Sequence, residues 1–138
     1  MMMRRQLSLT DLVAAIRERI KAGSDLPCYD RVPDNAKAPF VYIEPVRMGP
    51  ADSKTFYLKE YEVYIHVIAD GKRSSVPVYT YIQEVQEAMT AEVKLPGYVH
   101  LVTQTDAGLQ VLYTEETGEK HAVLDYVFQA AYGYKAKV

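Results

Sequence analysis

Residues 57–68, with the sequence YLKEYEVYIHVI, give the strongest strand signal in the chain. Odd-numbered positions in this stretch are largely apolar, whereas even-numbered positions are mixed. A period of two residues predicts a strand that is half-buried near its start and more buried near its end. The Asp70-Gly71 pair that follows predicts a turn.

Two segments with helical spacing flank this strand. The first covers residues 9–22, and Ser8 or Thr10 can cap it, while Gly23 suits the position just after its end. The second covers residues 78–89. In both, apolar residues recur every three or four positions, which predicts amphipathic helices.

Five further segments predict strands: residues 28–32, 40–46, 98–104, 109–114 and 121–134. Asp106-Ala107-Gly108 is predicted to be a turn or a bulge, after which the chain continues or pairs. The order α, β, β, β, α, β, β, β predicts an α+β fold, an antiparallel or mixed β-sheet with two helices packed on one face. No linker or repeat divides the chain, so we expect a single domain over residues 1–138.

Composition excludes several classes of protein. The 138 residues include 16 basic and 18 acidic side chains, and a formal net charge of -2 excludes nucleic-acid binding driven by bulk charge. The single cysteine, Cys28, excludes a disulfide-stapled secreted scaffold. No apolar run of membrane-spanning length is present, and no signal core follows Arg4 and Arg5. We expect a protein that is cytoplasmic or assembles from the cytoplasm.

The histidines and the cysteine do not form a recognisable site in the sequence. His66, His100 and His121 lie on three different predicted strands and lack the spacing of a zinc site. We expect partly exposed or core histidines, although three strand histidines can meet in space. Cys28 follows a proline in a loop, which favours a structural or incidental thiol.

No other motif predicts catalysis or cofactor binding. The turn over residues 71–75 precedes a helix and could hold an anion, but a capped, solvated turn is favoured. Glu60 and Glu62 share a strand face, which a solvated face explains more simply than an acid–base pair. We therefore expect no enzyme, no metal and no cofactor.

Tyrosine is in excess. The chain has 12 tyrosines, three phenylalanines and no tryptophan, whereas ordinary composition gives roughly a third as many tyrosines. Cross-strand packing within one sheet and pairing with a neighbouring subunit both explain this excess. The candidate residues for an interface with another subunit or a tube are Tyr57, Tyr61, Tyr126, Tyr132 and Tyr134.

The order of elements and several local motifs resemble the tail completion or tail terminator proteins of long-tailed bacteriophages and prophages. The resemblance extends over about residues 7–134. Apart from the two helices, it rests on residues 28–33 (CYDRVP), 38–43 (APFVYI), 62–67 (EVYIHV), 95–98 (LPGY) and the final strand 121–132. The chain departs from the family in a longer, proline-containing loop over residues 48–55.

This resemblance implies a structural role without catalytic residues. Such proteins form a ring, usually of six subunits, on the head-proximal end of the tail tube. The ring stops tube polymerisation and presents the surface that joins the head. The implied partners are further copies of the chain, the tail tube protein and the head–tail connector protein.

The resemblance also implies a location, whereas the expectation of a mobile loop rests on the general behaviour of assembly proteins, which order their loops on docking. DNA passes through the ring without sequence-specific binding, and the protein belongs to the virion tail or neck after assembly from the host cytoplasm. No membrane is involved. The loop that we expect to be mobile before assembly includes Met48, Gly49, Pro50 and Lys54.

Two other functions stay open at this point. A neck or head–tail joining protein would belong to the same assembly and have another partner. A small-ligand binding module would use a tyrosine-lined pocket between the helices and the sheet. A deep pocket with two histidines or a carboxylate of shifted pKa would favour that module.

Overall fold

The computed structural model describes residues 3–71 and 74–135 of the chain. Within these ranges, no helix is long and apolar enough to cross a membrane. In chain order, the elements are α1 (Leu9–Gly23), β1 (Cys28–Tyr29), β2 (Phe40–Pro50), β3 (Phe56–Ala69), α2 (Val76–Ala88), β4 (His100–Thr114) and β5 (Lys120–Tyr134).

The strands form one mixed sheet in the order β1-β2-β3-β5-β4. Strand β1 runs parallel to β2, and the other neighbouring strands are antiparallel. Helix α1 packs on β1 and β2, whereas α2 packs on β3 and β5, so that both helices cover the same face. The predicted α+β fold is confirmed.

The core lies between the helices and this covered face. Leu12, Ile16 and Ile20 of α1 are fully buried, and each such side chain contributes roughly 1.5–3 kcal/mol relative to exposure. They pack with odd-numbered residues 61–69 of β3 and even-numbered residues 122–130 of β5. Successive side chains of a strand point to opposite faces, so the alternate residues of both strands lie on a helix-free face.

Gly23 lies where the two helices come closest. A Cβ atom at this position would lie 2.7 Å from the Cβ of Ala88. Gly23 is the last residue of α1 and Ser24 is the cap, so the prediction that Gly23 follows the helix end is wrong by one position. The glycine is required by the close approach of the helices rather than by a left-handed cap conformation.

Strand β4 replaces two predicted strands. It runs without interruption from His100 to Thr114, and its register against β5 shifts at three places. One shift lies between Asp106 and Gly108, where Gly108 has a φ of 98° and its N–H donates to Asp106 Oδ1 over 2.8 Å. The predicted turn or bulge is therefore a bulge, and the sheet has one strand fewer than expected.

Candidate assembly interface

Three of the five candidate tyrosines lie together where β3 begins and β5 ends. Phe56 pairs with Tyr134, and their ring centroids are 4.9 Å apart. The ring centroids of Tyr57 and Tyr132 are 5.8 Å apart. Tyr134 is 77% exposed, and the other three side chains are half-buried. We call these four residues the aromatic end of the sheet.

Two cations approach one ring of the aromatic end. The Arg4 guanidinium lies 4.1 Å from the centroid of Tyr57, and Lys135 Nζ lies 5.5 Å from the same centroid. Lys135 also forms an ion pair with Asp52 at 3.6 Å. Because aromatic rings and arginine are enriched at protein interfaces, this composition is typical of a contact surface.

The predicted assembly loop is shorter than expected. Met48, Gly49 and Pro50 belong to β2 and pair with β3, so the prediction that they lie in a loop is wrong. The connection between β2 and β3 consists of residues 51–55 and includes Lys54.

This connection is tied to the aromatic end. The N–H of Lys135 donates to the carbonyl of Thr55 over 2.9 Å. Asp52 Oδ1 accepts from the N–H of Leu58 over 2.9 Å, and the N–H of Ala51 donates to the Leu58 carbonyl over the same distance. The structure thus brings the shortened loop and three candidate tyrosines to one place.

Tyr61 and Tyr126, two of the candidate interface residues, are buried in the core of the subunit. Both lie on the covered face, and each is 1% exposed, so neither side chain is available on the surface of the subunit. The Tyr61 hydroxyl donates to the carbonyl of Leu7 over 2.7 Å, and burial raises the pKa of this phenol to about 12. Burial, and then the Asp106 carboxylate, raise the pKa of Tyr126. These two tyrosines are core residues.

Strand β4 forms an exposed edge that the sequence analysis missed. Among its 15 residues, Asp106 is the one aspartate, glutamate, lysine or arginine. Edge strands are commonly protected by charged side chains, whereas β4 has bulges. The shortage of charge over residues 100–114 is the sequence signal that marks this edge. The large apolar side chains that it exposes are Val102, Leu109, Val111 and Tyr113.

Toward the other end of β3, two histidines meet on the helix-free face. His66 Nδ1 lies 2.7 Å from His121 Nε2. His66 Nε2 lies 2.8 Å from Glu44 Oε1, and His121 Nδ1 lies 2.8 Å from Glu115 Oε1. We call these four residues the histidine end. The third histidine, His100, is exposed on β4.

Tyrosine rings, rather than a helix, cover the two imidazoles. Tyr42 stacks on His66 with centroids 4.1 Å apart and an interplanar angle of 5°, and Tyr113 stacks on His121 at 4.9 Å. Both histidines are buried, which confirms the prediction of core histidines for these two. Across residues 3–71 and 74–135, no three metal-ligating side chains are arranged to hold a metal ion.

A second polar group lies on the helix-free face. Arg47 approaches Glu60 and Glu62 at 3.6 Å each, so these carboxylates are paired and half-buried rather than freely solvated. Asp125 is buried beside Glu62. Its burial, and then its hydrogen bond with Glu62 and the charge of that residue, raise the pKa of Asp125 to about 6.

The remaining candidates do not form a site. Burial raises the pKa of Cys28 to about 11, which makes the thiol a poor nucleophile near neutral pH. Residues 72–73 of the predicted anion turn lie outside the described residues. The Ser74 hydroxyl accepts from the N–H of Val76 over 3.1 Å, whereas Ser75, the N-cap residue of α2, makes no side-chain capping hydrogen bond.

Two grooves run along α1, with volumes of about 370 and 600 Å³. The smaller groove lies next to residues 43–45 of β2, and the larger one lies next to residues 92–96. Among the described residues that line them, none is a tyrosine or a histidine. They therefore differ from the tyrosine-lined pocket that a ligand-binding module would use.

Comparisons with known proteins agree with the resemblance seen in the sequence. Residues 2–138 match a phage tail terminator family described as "Putative tail termination protein". No curated protein matches the sequence. A chain from a solved structure titled "Virion of native gene transfer agent (GTA) particle" is 21% identical, with a TM-score of 0.75 over 88% of this chain and 96% of that chain. This likeness shows a shared fold, and the match over nearly the whole sequence shows that the chain belongs to the phage tail terminator family, a family of structural tail proteins.

Proposed function

We propose that this chain forms a ring that ends the tail tube at its head-proximal end, and that copies contact one another through the aromatic end. The family match over residues 2–138 supports the role. The exposed Tyr134 ring and the two cations over the Tyr57 ring of the same aromatic end support the location of the contact. Residues of the aromatic end that bury ring area on assembly would supply much of the binding energy.

A closed ring requires one surface of a subunit to meet a different surface on its neighbour. The structure offers two such surfaces. The aromatic end carries rings and positive charge, whereas β4 exposes apolar side chains and carries one acidic residue, Asp106. We assign β4 of a second copy as the occupant of the aromatic end, because its apolar side chains and its single acid complement rings and cations.

The remaining partners follow from a place at the end of the tail. The ring would contact the tail tube protein on one side and the head–tail connector protein on the other, after assembly from the host cytoplasm. A net charge of -2 suits a ring through which DNA passes without being bound tightly.

The mass of the chain in solution tests this proposal. We expect light scattering of the chain mixed with tube protein to show a species containing several copies of the 15.6 kDa subunit. Tyr134→Ala should abolish that species. Tyr79→Ala is the matched control, because Tyr79 is 54% exposed on α2, away from both surfaces.

Two results would contradict the proposal. A wild-type chain that stays at 15.6 kDa alone and with tube protein would exclude a ring. Equal assembly of Tyr134→Ala and Tyr79→Ala would exclude the aromatic end as the contact while leaving ring formation intact.

A further inference from the structure

Four side chains of the histidine end lie in series across the helix-free face. Glu44 comes from β2, His66 from β3, His121 from β5, and Glu115 directly follows β4. The three contacts between them measure 2.8, 2.7 and 2.8 Å, all within hydrogen-bond distance. The series therefore connects β2, β3 and β5 to the turn between β4 and β5.

The number of protons that this series needs exceeds the number that neutral imidazoles supply. Each contact needs one hydrogen, and ionised carboxylates only accept hydrogen bonds. Two neutral histidines carry two N–H groups, whereas the three contacts need three protons. The closed series is complete when the histidine pair holds one additional proton.

We propose that His66 and His121 together form a binding site for a single proton, and that this proton holds Glu115, and with it the turn after β4, against the sheet. A second proton would turn the central contact into two N–H groups facing each other at 2.7 Å. The pair therefore binds one proton, shared across its central contact.

The surroundings of the pair favour one proton and oppose two. Burial lowers the pKa of His66, the hydrogen bond that its Nε2–H donates to Glu44 opposes this, and the nearby His121 lowers the pKa further. At the other side, hydrogen bonds from His121 and then Tyr113 lower the pKa of Glu115, so this carboxylate stays ionised and attracts the proton.

Among the residues that the structure describes, three tyrosine rings also contact the pair. Tyr42 of β2 stacks on His66, and Tyr64 of β3 meets the same ring edge-on with centroids 6.3 Å apart. Tyr113 of β4 stacks on His121. Asp125 of β5 lies farther along the face, opposite Tyr64, and its raised pKa leaves it partly protonated near pH 6.

Tyr113 decides which end of the series opens when the proton leaves. Its hydroxyl lies 2.9 Å from His121 Nδ1, the same atom that contacts Glu115. Once His121 Nδ1 is bare, the phenol donates to it and Glu115 loses both of its donors. Glu115 begins the turn, where its N–H donates to the carbonyl of Glu119 over 2.7 Å, so release of its side chain removes the link between this turn and His121.

Nuclear magnetic resonance of the two imidazoles in the full chain tests the proposal directly. We expect the signals of His66 and His121 to change together in one common step that takes up a single proton. The signal of His100, which is exposed and lies outside the pair, serves as the internal control. Proton uptake at the two residues in separate steps, or no proton uptake by either residue, would overturn the proposal.

A pair of variants tests the connection to the turn. Glu115→Gln removes the carboxylate that attracts the proton, and Glu116→Gln makes the same change of charge one residue away on an exposed side chain. We expect Glu115→Gln to weaken proton binding by about threefold or more and Glu116→Gln to change it by less than about 1.5-fold.

In the wild type, amide exchange over residues 115–119, corrected for its intrinsic dependence on pH, should be faster at pH values above the common protonation step. In Glu115→Gln it should be fast on both sides of that step. Two results would show that the proton does not hold the turn. One is an equal effect of the two variants on proton binding, and the other is a wild-type exchange rate that does not change across the protonation step. Proton binding and amide exchange test this proposal separately from the proposed ring, which is tested by the mass of the assembled species.

Discussion

The aromatic end and the histidine end occupy opposite parts of β3 and use tyrosine in different ways. About ten residues, or roughly 33 Å of extended strand, separate Phe56 from His66. At the histidine end, Tyr42 and Tyr113 cover buried imidazoles within the subunit. At the aromatic end, Tyr134 stays in solvent. The comparison teaches that tyrosine is used both against buried imidazoles and on the solvent-exposed surface of one subunit. We expect variants to separate effects on stability from effects on assembly.

Removing an imidazole should have the largest effect on the isolated subunit. His66→Ala leaves His121 buried without its partner and leaves a void beneath Tyr42. We expect the free energy of unfolding to fall by about 2–4 kcal/mol. Urea denaturation at neutral pH measures it, with His100→Ala as an exposed control that changes it by less than about 0.5 kcal/mol. Equal losses in both variants would mean that the histidine end does not stabilise the fold.

Replacing Asp125 should change the free energy of unfolding by a smaller amount, and in the stabilising direction. Its pKa rises from 3.8 to about 6 on folding, so the folded state gains stability as pH falls from above 6 toward 4. The ionised carboxylate therefore lowers the free energy of unfolding above pH 6. Asp125→Asn should raise this free energy by about 1–2 kcal/mol at pH 8. The gain should vanish near pH 4.

Glu60→Gln is the matched control for Asp125, since Glu60 is half-buried on the same face and pairs with Arg47. Thermal unfolding at the two pH values compares the variants. If Asp125→Asn is less stable than the wild type at pH 8, then the proposed cost of this carboxylate is wrong.

A conservative change at a core tyrosine should alter the free energy of unfolding less than the changes at His66 and Asp125. Tyr61→Phe keeps the buried ring and removes the hydrogen bond to the carbonyl of Leu7. We expect a loss of about 1 kcal/mol in unfolding free energy and no change in assembly. Denaturation and light scattering test both parts, and a defect in assembly at normal stability would place Tyr61 back at an interface.

The exposed tyrosine should have the smallest effect on the subunit. Tyr134 is 77% exposed, so Tyr134→Ala should change the unfolding free energy by less than about 0.5 kcal/mol. It should nevertheless impair assembly. A loss above 1.5 kcal/mol in the isolated chain would indicate that the aromatic end is part of the fold, which would remove the contrast between the two ends.

The sequence predicts the main layers of the fold because periodicity directly reflects burial. The alternation over residues 57–68 correctly separates the covered face from the helix-free face. Because both have odd numbers, the alternation does not distinguish the half-buried Tyr57 from the buried Tyr61. The segment before α1 decides this, since Leu7 bonds to Tyr61, whereas Arg4 lies over Tyr57.

The errors arise where a local signal has two structural meanings. Gly49 and Pro50 resemble a turn but extend β2, whose outer edge pairs with β1 only at Val41 and Tyr42. Beyond those residues, a proline that faces outward costs no hydrogen bond. The histidine pair depends on register, because a shift of one residue would place His66 and His121 on different faces. No single segment contains that information.

Tail length is the most direct test of the central claim. Tube protein should be assembled with the wild-type chain, without it, and with Tyr134→Ala, and tube lengths should be measured by electron microscopy. We expect overlong tubes without the chain and with Tyr134→Ala, and tubes of limited length with the wild type. Tubes of normal length that fail to join heads when the chain is missing would contradict termination and indicate a head–tail joining protein.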